Sequence, residues 1–174
     1  MLRNDPLRNP EALIERVYSY VAYRIGGGAD AEDVTSETFE RAVRYRHSYD
    51  PAHGTPLAWV LGIARRCTND ALAARRHGDV ALNEAQAPGD LEAEAADRLE
   101  LESALAQLPP ADAELLSLRY GADLSAKQIA EAMNSTPGAV RVGLHRAHAR
   151  LRAIVEDGRQ EPVPQARIQI QPAP

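Results

Sequence analysis

Cysteine occurs once in the 174 residues, at Cys67, which excludes an internal disulfide and any cysteine-based zinc site within one chain. Aromatic side chains make up only 5%, with a single Trp and a single Phe, so a core filled by large rings is excluded as well. Runs of β-branched residues are scarce, while alanine, leucine and arginine dominate; this composition favours helices packed on helices. No apolar stretch approaches the roughly 20 residues needed to cross a bilayer. Behind the first residues, Met1-Leu2-Arg3-Asn4-Asp5, no apolar run follows, so signal-peptide character is absent. These absences together predict a soluble protein of a reducing cytoplasm with no membrane association.

Lysine is nearly missing too: Lys127 stands against nineteen arginines. The net charge of −5 argues at first against a nucleic-acid partner, but its distribution reverses that impression. From Arg41 to Arg76 there are seven arginines against Asp50 and Asp70. From Asp79 to Glu114 ten acids face Arg98 alone, and from Ser135 to Arg152 four arginines meet no acid. Two basic blocks flanking an acidic middle can steer phosphate backbones to particular surfaces. Solvated helix faces that alternate in sign would give the same counts.

The chain is clearly punctuated. Asn9 is placed to cap a first helix with Pro10 at its first position, and Gly26-Gly27-Gly28 ends it. Asp30 opens a second helix that runs to about Tyr45, and turn chemistry follows in Asp50-Pro51 and Gly54. Thr55-Pro56 starts a third helix reaching about Arg76. A second group comprises a helix over residues 91–107, another over 110–120, a short helix opened by the capping box of Ser125 and Gln128, and a long one from Thr136-Pro137 to about Val155. The expected fold class is all-α, as two small helical domains over residues 8–77 and 98–155. A flexible acidic linker over 78–97 joins them, and a disordered, proline-rich tail follows over 156–174.

Ser125 to Arg152 is the most informative stretch. Two capped helices separated by a short Asn134-Ser135 turn make a helix-turn-helix, whose second helix can enter a major groove. At 100° per residue, Val140, Leu144, Ala147, Leu151, Ile154 and Val155 share one stripe of the last helix. Arg141, Val142, His145, Ala149 and Arg152 lie opposite, with Arg146 at the edge. Arginines so placed can bond guanine edges bidentately or grip phosphates, and the helix start near Thr136 favours a backbone phosphate. An ordinary helical hairpin with a solvated Arg face has the same periodicity.

The wording is more specific than the periodicity. Leu105-Ala106-Gln107-Leu108-Pro109-Pro110, Glu114-Leu115-Leu116-Ser117-Leu118-Arg119-Tyr120, Ile129-Ala130-Glu131, Gly138-Ala139-Val140-Arg141 and Leu144-His145-Arg146-Ala147 resemble the C-terminal, −35-binding domain of extracytoplasmic-function sigma factors. The resemblance implies that Thr136, Arg141, Val142, His145 and Arg146 contact the −35 element. Val142-Gly143 departs from the polar-then-basic pair usual in that family. It places a glycine inside the recognition helix, at a cost of about 1 kcal/mol relative to alanine, and implies weaker or unusual −35 recognition.

The N-terminal block resembles the other half of the same family. In the second helix Val34, Thr38, Ala42 and Tyr45 share a stripe expected to pack inward. Asp33, Ser36, Glu37, Glu40, Arg41 and Arg44 share another, although acids early in a helix also simply complement its dipole. Asp30-Ala31-Glu32-Asp33-Val34-Thr35-Ser36-Glu37-Thr38-Phe39 is similar to the family's core-binding helix, which implies polymerase contacts through Asp33, Ser36, Glu37, Phe39 and Glu40. In the third helix Leu57, Val60, Leu61, Ala64, Cys67 and Ala71 form the buried stripe. Trp59 among Arg65, Arg66 and Arg76 has the π-face and cations of a single-stranded nucleic-acid platform, or packs on a neighbouring helix; Asp70 is placed to pair with an Arg. Tyr49-Asp50-Pro51, Gly54, Ala58-Trp59-Val60-Leu61 and Ile63-Ala64-Arg65-Arg66 are similar to the family's −10-binding, strand-melting domain. The resemblance implies a pocket for a flipped base among His47, Tyr49, Asp50 and His53, with Trp59, Arg65, Arg66 and Asn69 beside it.

The family implies no catalysis and no cofactor or metal. It implies core RNA polymerase (clamp helices and flap), promoter DNA and an anti-sigma factor as partners. A helix-turn-helix regulator that does not bind core polymerase would use residues 125–152 but leave residues 30–70 without a role. An enzyme is poorly supported: His145 and His148 share a helix with no carboxylate before Glu156, and His47 and His53 sit in a loop with Asp50. An acidic linker beside Arg faces has the charge to compete for them in cis; a solvated tether is the plainer reading.

Overall fold

The computed structural model describes residues 5–77, 101 and 103–160. Among these the chain is helical: α1 (Pro10–Ile25), α2 (Ala29–Tyr45), two 3-10 turns (Arg46–Ser48 and Pro51–His53), α3 (Pro56–His77), α4 (Pro110–Leu116) running into a π-turn (Ser117–Gly121), α5 (Ala126–Ala132) and α6 (Pro137–Gln160). Residues 103–106 are helical as well. The expected linker at 78–97 and the tail beyond residue 160 lie outside the described residues. Helix α6 continues to Gln160, so Glu156 to Gln160, expected in the tail, are helical.

The starts of the elements follow local chemistry. The Ser125 hydroxyl accepts from the Gln128 N–H while the Gln128 side chain accepts from the Ser125 N–H, closing the capping box. Thr136 and Thr55 hydroxyls accept from the Ala139 and Ala58 N–H groups, each at 3.2 Å. Asn9 makes no side-chain cap at α1; upstream, Asp5 accepts from the Leu7 N–H at 3.0 Å. Asn134, in the turn between α5 and α6, has φ +51°, a left-handed conformation that Asn tolerates better than most residues.

Helices α1, α2 and α3 form a bundle around Val17, Tyr20, Val21, Val34, Val60 and Leu61, with Ala31, Ala42 and Ala64 where the helices approach closely. Thr35 and Thr38, both buried, spend their hydroxyls on the Ala31 and Val34 carbonyls one turn back. Tyr45 departs from the expected inward stripe: it is 53% exposed at the end of α2, where the chain turns away before any neighbour covers it. Ala71 is only half-buried. In the second half, α4 and α6 enclose Leu108, Ala113, Leu116 and Ala147.

The two halves share a core. Leu118, Ala122 and Leu124 from the π-turn and the loop after it, with Ile129 and Ala130 from α5 and Val140 from α6, join the cluster that includes Val17 and Tyr20 of α1. The π-turn lies on α1 so closely that a Cβ at Gly121 would stand 2.8 Å from the Ser19 carbonyl oxygen and from the Tyr20 Cα. Only glycine permits that approach. At Gly143 a Cβ would meet only Leu115 Cδ1, at 2.7 Å, the movable end of a side chain.

Candidate nucleic-acid interface

Three surfaces carry the residues singled out by sequence. On α2, Ser36, Phe39, Glu40, Val43 and Arg44 line one shallow groove. Asp33 lies on the same helix and is exposed, and Val43 adds a half-exposed apolar side chain. Glu37 is tied at 2.5 Å to Arg41, which also reaches Asp70 of α3 at 3.6 Å. The surface thus mixes exposed acids with a small apolar patch.

The second surface is the loop between α2 and α3. Tyr49 donates its hydroxyl to the Gly54 carbonyl at 3.0 Å and meets Trp59 edge-on, with ring centroids 5.7 Å apart. Trp59 is half-buried: it packs on Tyr49 and keeps part of its surface open. Asp50 accepts from the Ala52 N–H at 2.9 Å and pairs with His53 Nδ1 at 2.9 Å. The Ala52 N–H first, and His53 second, hold the Asp50 carboxyl below its ordinary range. His47 and His53 are exposed. Further along α3, Arg66 and Asn69 are exposed, and Asn69 accepts from Arg24 of α1 at 3.3 Å.

Arg65 does not join this surface. Its Nε lies 2.7 Å from the Glu114 carboxylate of α4, and it also donates to the Ala132 carbonyl at the end of α5 at 3.4 Å. Glu114 is 6% exposed. It draws in Arg24 at 3.3 Å, and the Tyr20 hydroxyl donates to its two carboxylate oxygens at 3.0 and 3.2 Å. Burial, and then the neighbouring Glu114 charge, push the Tyr20 phenol far above its usual range, so it stays a donor. Beside this cluster Arg16 donates to the Ala122 carbonyl at 2.8 Å and to that of Asp123 at 2.9 Å. Sequence reasoning singled out none of Arg16, Tyr20 and Arg24, and took Glu114 as part of the acidic middle and of a family motif, with no buried role. The one signal was an acid set within an apolar run, Ala113-Glu114-Leu115-Leu116, where a charge needs buried partners.

The third surface is α6. Arg141, Val142, His145 and Arg146 are all exposed, and Val140 and Ala147 are buried on the opposite side, as the helical projection requires. Thr136 is exposed at the helix start. The turn residue Asn134, α5 and α6 form the helix-turn-helix, with this face open. Among the described residues no group of three or more His, Cys, Asp or Glu side chains could hold a metal, and no helix is long and apolar enough to cross a membrane. Cys67 is buried, and that burial raises its thiol pKa, which keeps it protonated and unreactive.

Known proteins resemble the chain in both halves. Residues 11–78 match the family Sigma-70 region 2, and residues 98–151 match Sigma-70, region 4. The ECF RNA polymerase sigma factor BldN of Streptomyces coelicolor is 32% identical over 151 residues, 82% of this chain and 57% of that protein. RNA polymerase sigma factor CarQ of Myxococcus xanthus is 32% identical over 148 residues, 80% of this chain and 83% of that protein. SigM of Bacillus subtilis, another ECF sigma factor, is 30% identical over 143 residues, covering 74% of this chain and 81% of that one. The chain therefore spans little more than half of BldN but most of CarQ and SigM. Its fold is similar to sigma factor RpoE of Bartonella quintana, solved with the anti-sigma factor NepR, at TM-score 0.62 and 19% identity over 83% of this chain and 92% of that one. CnrH, solved with the cytosolic domain of CnrY, gives TM-score 0.59 and 22% identity over 86% of this chain and 84% of that one. With both sigma-70 regions in order and this identity to CarQ and to the ECF factor SigM over most of their lengths, the chain belongs to the extracytoplasmic-function RNA polymerase sigma factors.

Proposed function

We propose that the chain is an alternative sigma factor acting in the cytoplasm. It directs core RNA polymerase to particular promoters, reads the −35 element, opens the −10 region and performs no catalysis itself. The observation that carries this reading is the pairing of region 2 and region 4 in one chain, with the arginine face of α6 left open. A helix-turn-helix regulator would need the second region only. The groove on α2, with Asp33 and Glu37 on the same helix, is the polymerase-binding face, meeting the clamp helices, while the C-terminal half meets the flap. Trp59 and the Tyr49–His53 loop form the −10 face. The solved complexes of RpoE with NepR and of CnrH with CnrY support an anti-sigma partner for this chain as well.

The chemistry of α6 sets out two distinct roles. If Arg141 bonds a base edge, Arg141→Ala costs about 1–3 kcal/mol and relaxes preference at one −35 position. Arg146, at the edge of the face, grips phosphate; its loss weakens all promoters alike and shallows the salt dependence by about one unit of slope. Transcription by holoenzyme from a panel of −35 variants at several salt concentrations separates the two. Should both variants keep wild-type activity throughout, α6 does not read the promoter, and choice falls to the −10 face.

A further inference from the structure

Helix α6 carries one large apolar side chain among the charged ones of its open face. Of the large apolar side chains that stay exposed among the described residues, Val142 alone belongs to α6, and it is 51% open. At 100° per residue it lies about 160° from buried Val140, close to the centre of the outward face. His145 and Arg146 flank it one turn on, and Arg141 stands beside it towards the helix start; all three are exposed. Gly138 and Ala149 lie along the same line of the helix and are exposed too, but they reach less far. Arg150 is tied to Asp112 and His148 to Tyr120, which commits those two to α4 and the π-turn. A Cβ at Gly143 would point at Leu115 of α4, so that position takes no part in the open face.

A single exposed valine is ordinary on a protein surface. At the centre of a face turned to a major groove it restricts what the helix can meet. Guanine offers N7 and O6 there, adenine N7 and its amino group, and cytosine its amino group. Valine bonds none of these, and pressed against any of them it strips water from a polar atom without replacing the hydrogen bond. Thymine differs, because its 5-methyl group is the apolar feature of the groove. Val142 is the sixth residue of α6, within the first two turns, where a recognition helix meets base edges.

We propose that Val142 reads the 5-methyl group of a thymine in the −35 element and so sets a preference for an A·T pair at that one position. This inference rests on the reading of the chain as a sigma factor whose α6 enters the major groove. Arg141 and Arg146 supply the polar contacts on either side of the valine, to a base edge and to phosphate.

The test uses holoenzyme, assembled from core polymerase and the full chain, on a promoter that it transcribes. Each thymine of the −35 segment, on either strand, is replaced in turn by deoxyuridine, which pairs identically and lacks only the methyl group. Promoter binding is measured with the wild-type chain, Val142→Ser and Val142→Thr. Val142 is exposed, so both variants should keep the fold, and circular dichroism checks that they do. With the wild type, replacement at one position should weaken binding about fourfold, the worth of one buried methyl group. Val142→Ser should bind the unmodified promoter about fourfold more weakly and be indifferent to uracil at that position. Val142→Thr, which keeps a methyl group, should remain sensitive.

A wild-type chain indifferent to uracil at every position would overturn the thymine contact while leaving the sigma-factor reading intact. So would a Val142→Ser variant as sensitive as the wild type, or a −35 segment without an A·T pair. Holoenzyme that binds equally well when the whole −35 segment is scrambled would overturn promoter reading by α6, and the thymine contact with it.

Discussion

Reversing the charge at Asp33 and Glu37 together is expected to weaken binding to core RNA polymerase by about ten- to a hundredfold, or about 1.4–2.8 kcal/mol. Both residues lie on α2, Asp33 exposed and Glu37 partly so. Charges at a protein interface steer encounter and fix register, and a reversed charge meets repulsion where it met attraction. The fold should tolerate the change. The reversal removes the Glu37–Arg41 pair, an (i, i+4) contact that solvent screens to a small contribution, and touches no core residue. Fluorescence anisotropy with labelled chain and core enzyme measures the affinity, and circular dichroism checks the helices. Unchanged affinity would place the polymerase-binding face elsewhere.

Trp59→Ala should impair strand opening far more than the first, closed encounter with the promoter. Stacking of a base on an aromatic ring is worth about 1–3 kcal/mol, so the open complex should form about five- to 150-fold less well. The duplex in the closed complex offers no unstacked base, and that step should scarcely change. Trp59 also packs edge-on against Tyr49, a contact worth about 0.5–1.5 kcal/mol, so some loss of loop order accompanies the substitution. Trp59→Tyr retains a ring and should restore most of the opening. Permanganate footprinting of unpaired thymines reports opening, and filter binding at low temperature reports the closed complex. An equal loss in both would mean a folding defect.

The helices were legible because their signals are local. Thr55-Pro56, the Ser125–Gln128 box and Thr136-Pro137 each mark a start by chemistry confined to one turn. The inward residues of α2 and α3 followed from periodicity except at Ala71, which is only half-buried, and at Tyr45, where the helix outruns the neighbours that bury its earlier turns. Asn9 failed as a cap because the motif gives residue type but not side-chain direction. The end of α6 was placed too early, since Gly158 reads as a terminator yet sits within the helix. The seam between the halves was not legible at all. Its partners are 94 residues apart for Tyr20 and Glu114 and 106 for Arg16 and Ala122, and no periodicity links such positions. The acids of the expected linker, read chiefly as a solvated tether, lie outside the described residues.

The account stands most directly on reconstituted transcription. Purified core polymerase, with and without the full chain, is given fragmented genomic DNA, and the 5′ ends of the transcripts are mapped. The prediction is a small set of discrete start sites that appear only when the chain is added, that share paired sequence elements upstream, and that vanish with the Asp33 and Glu37 reversal. Transcripts that start at random, or a core enzyme indifferent to the chain, would contradict it.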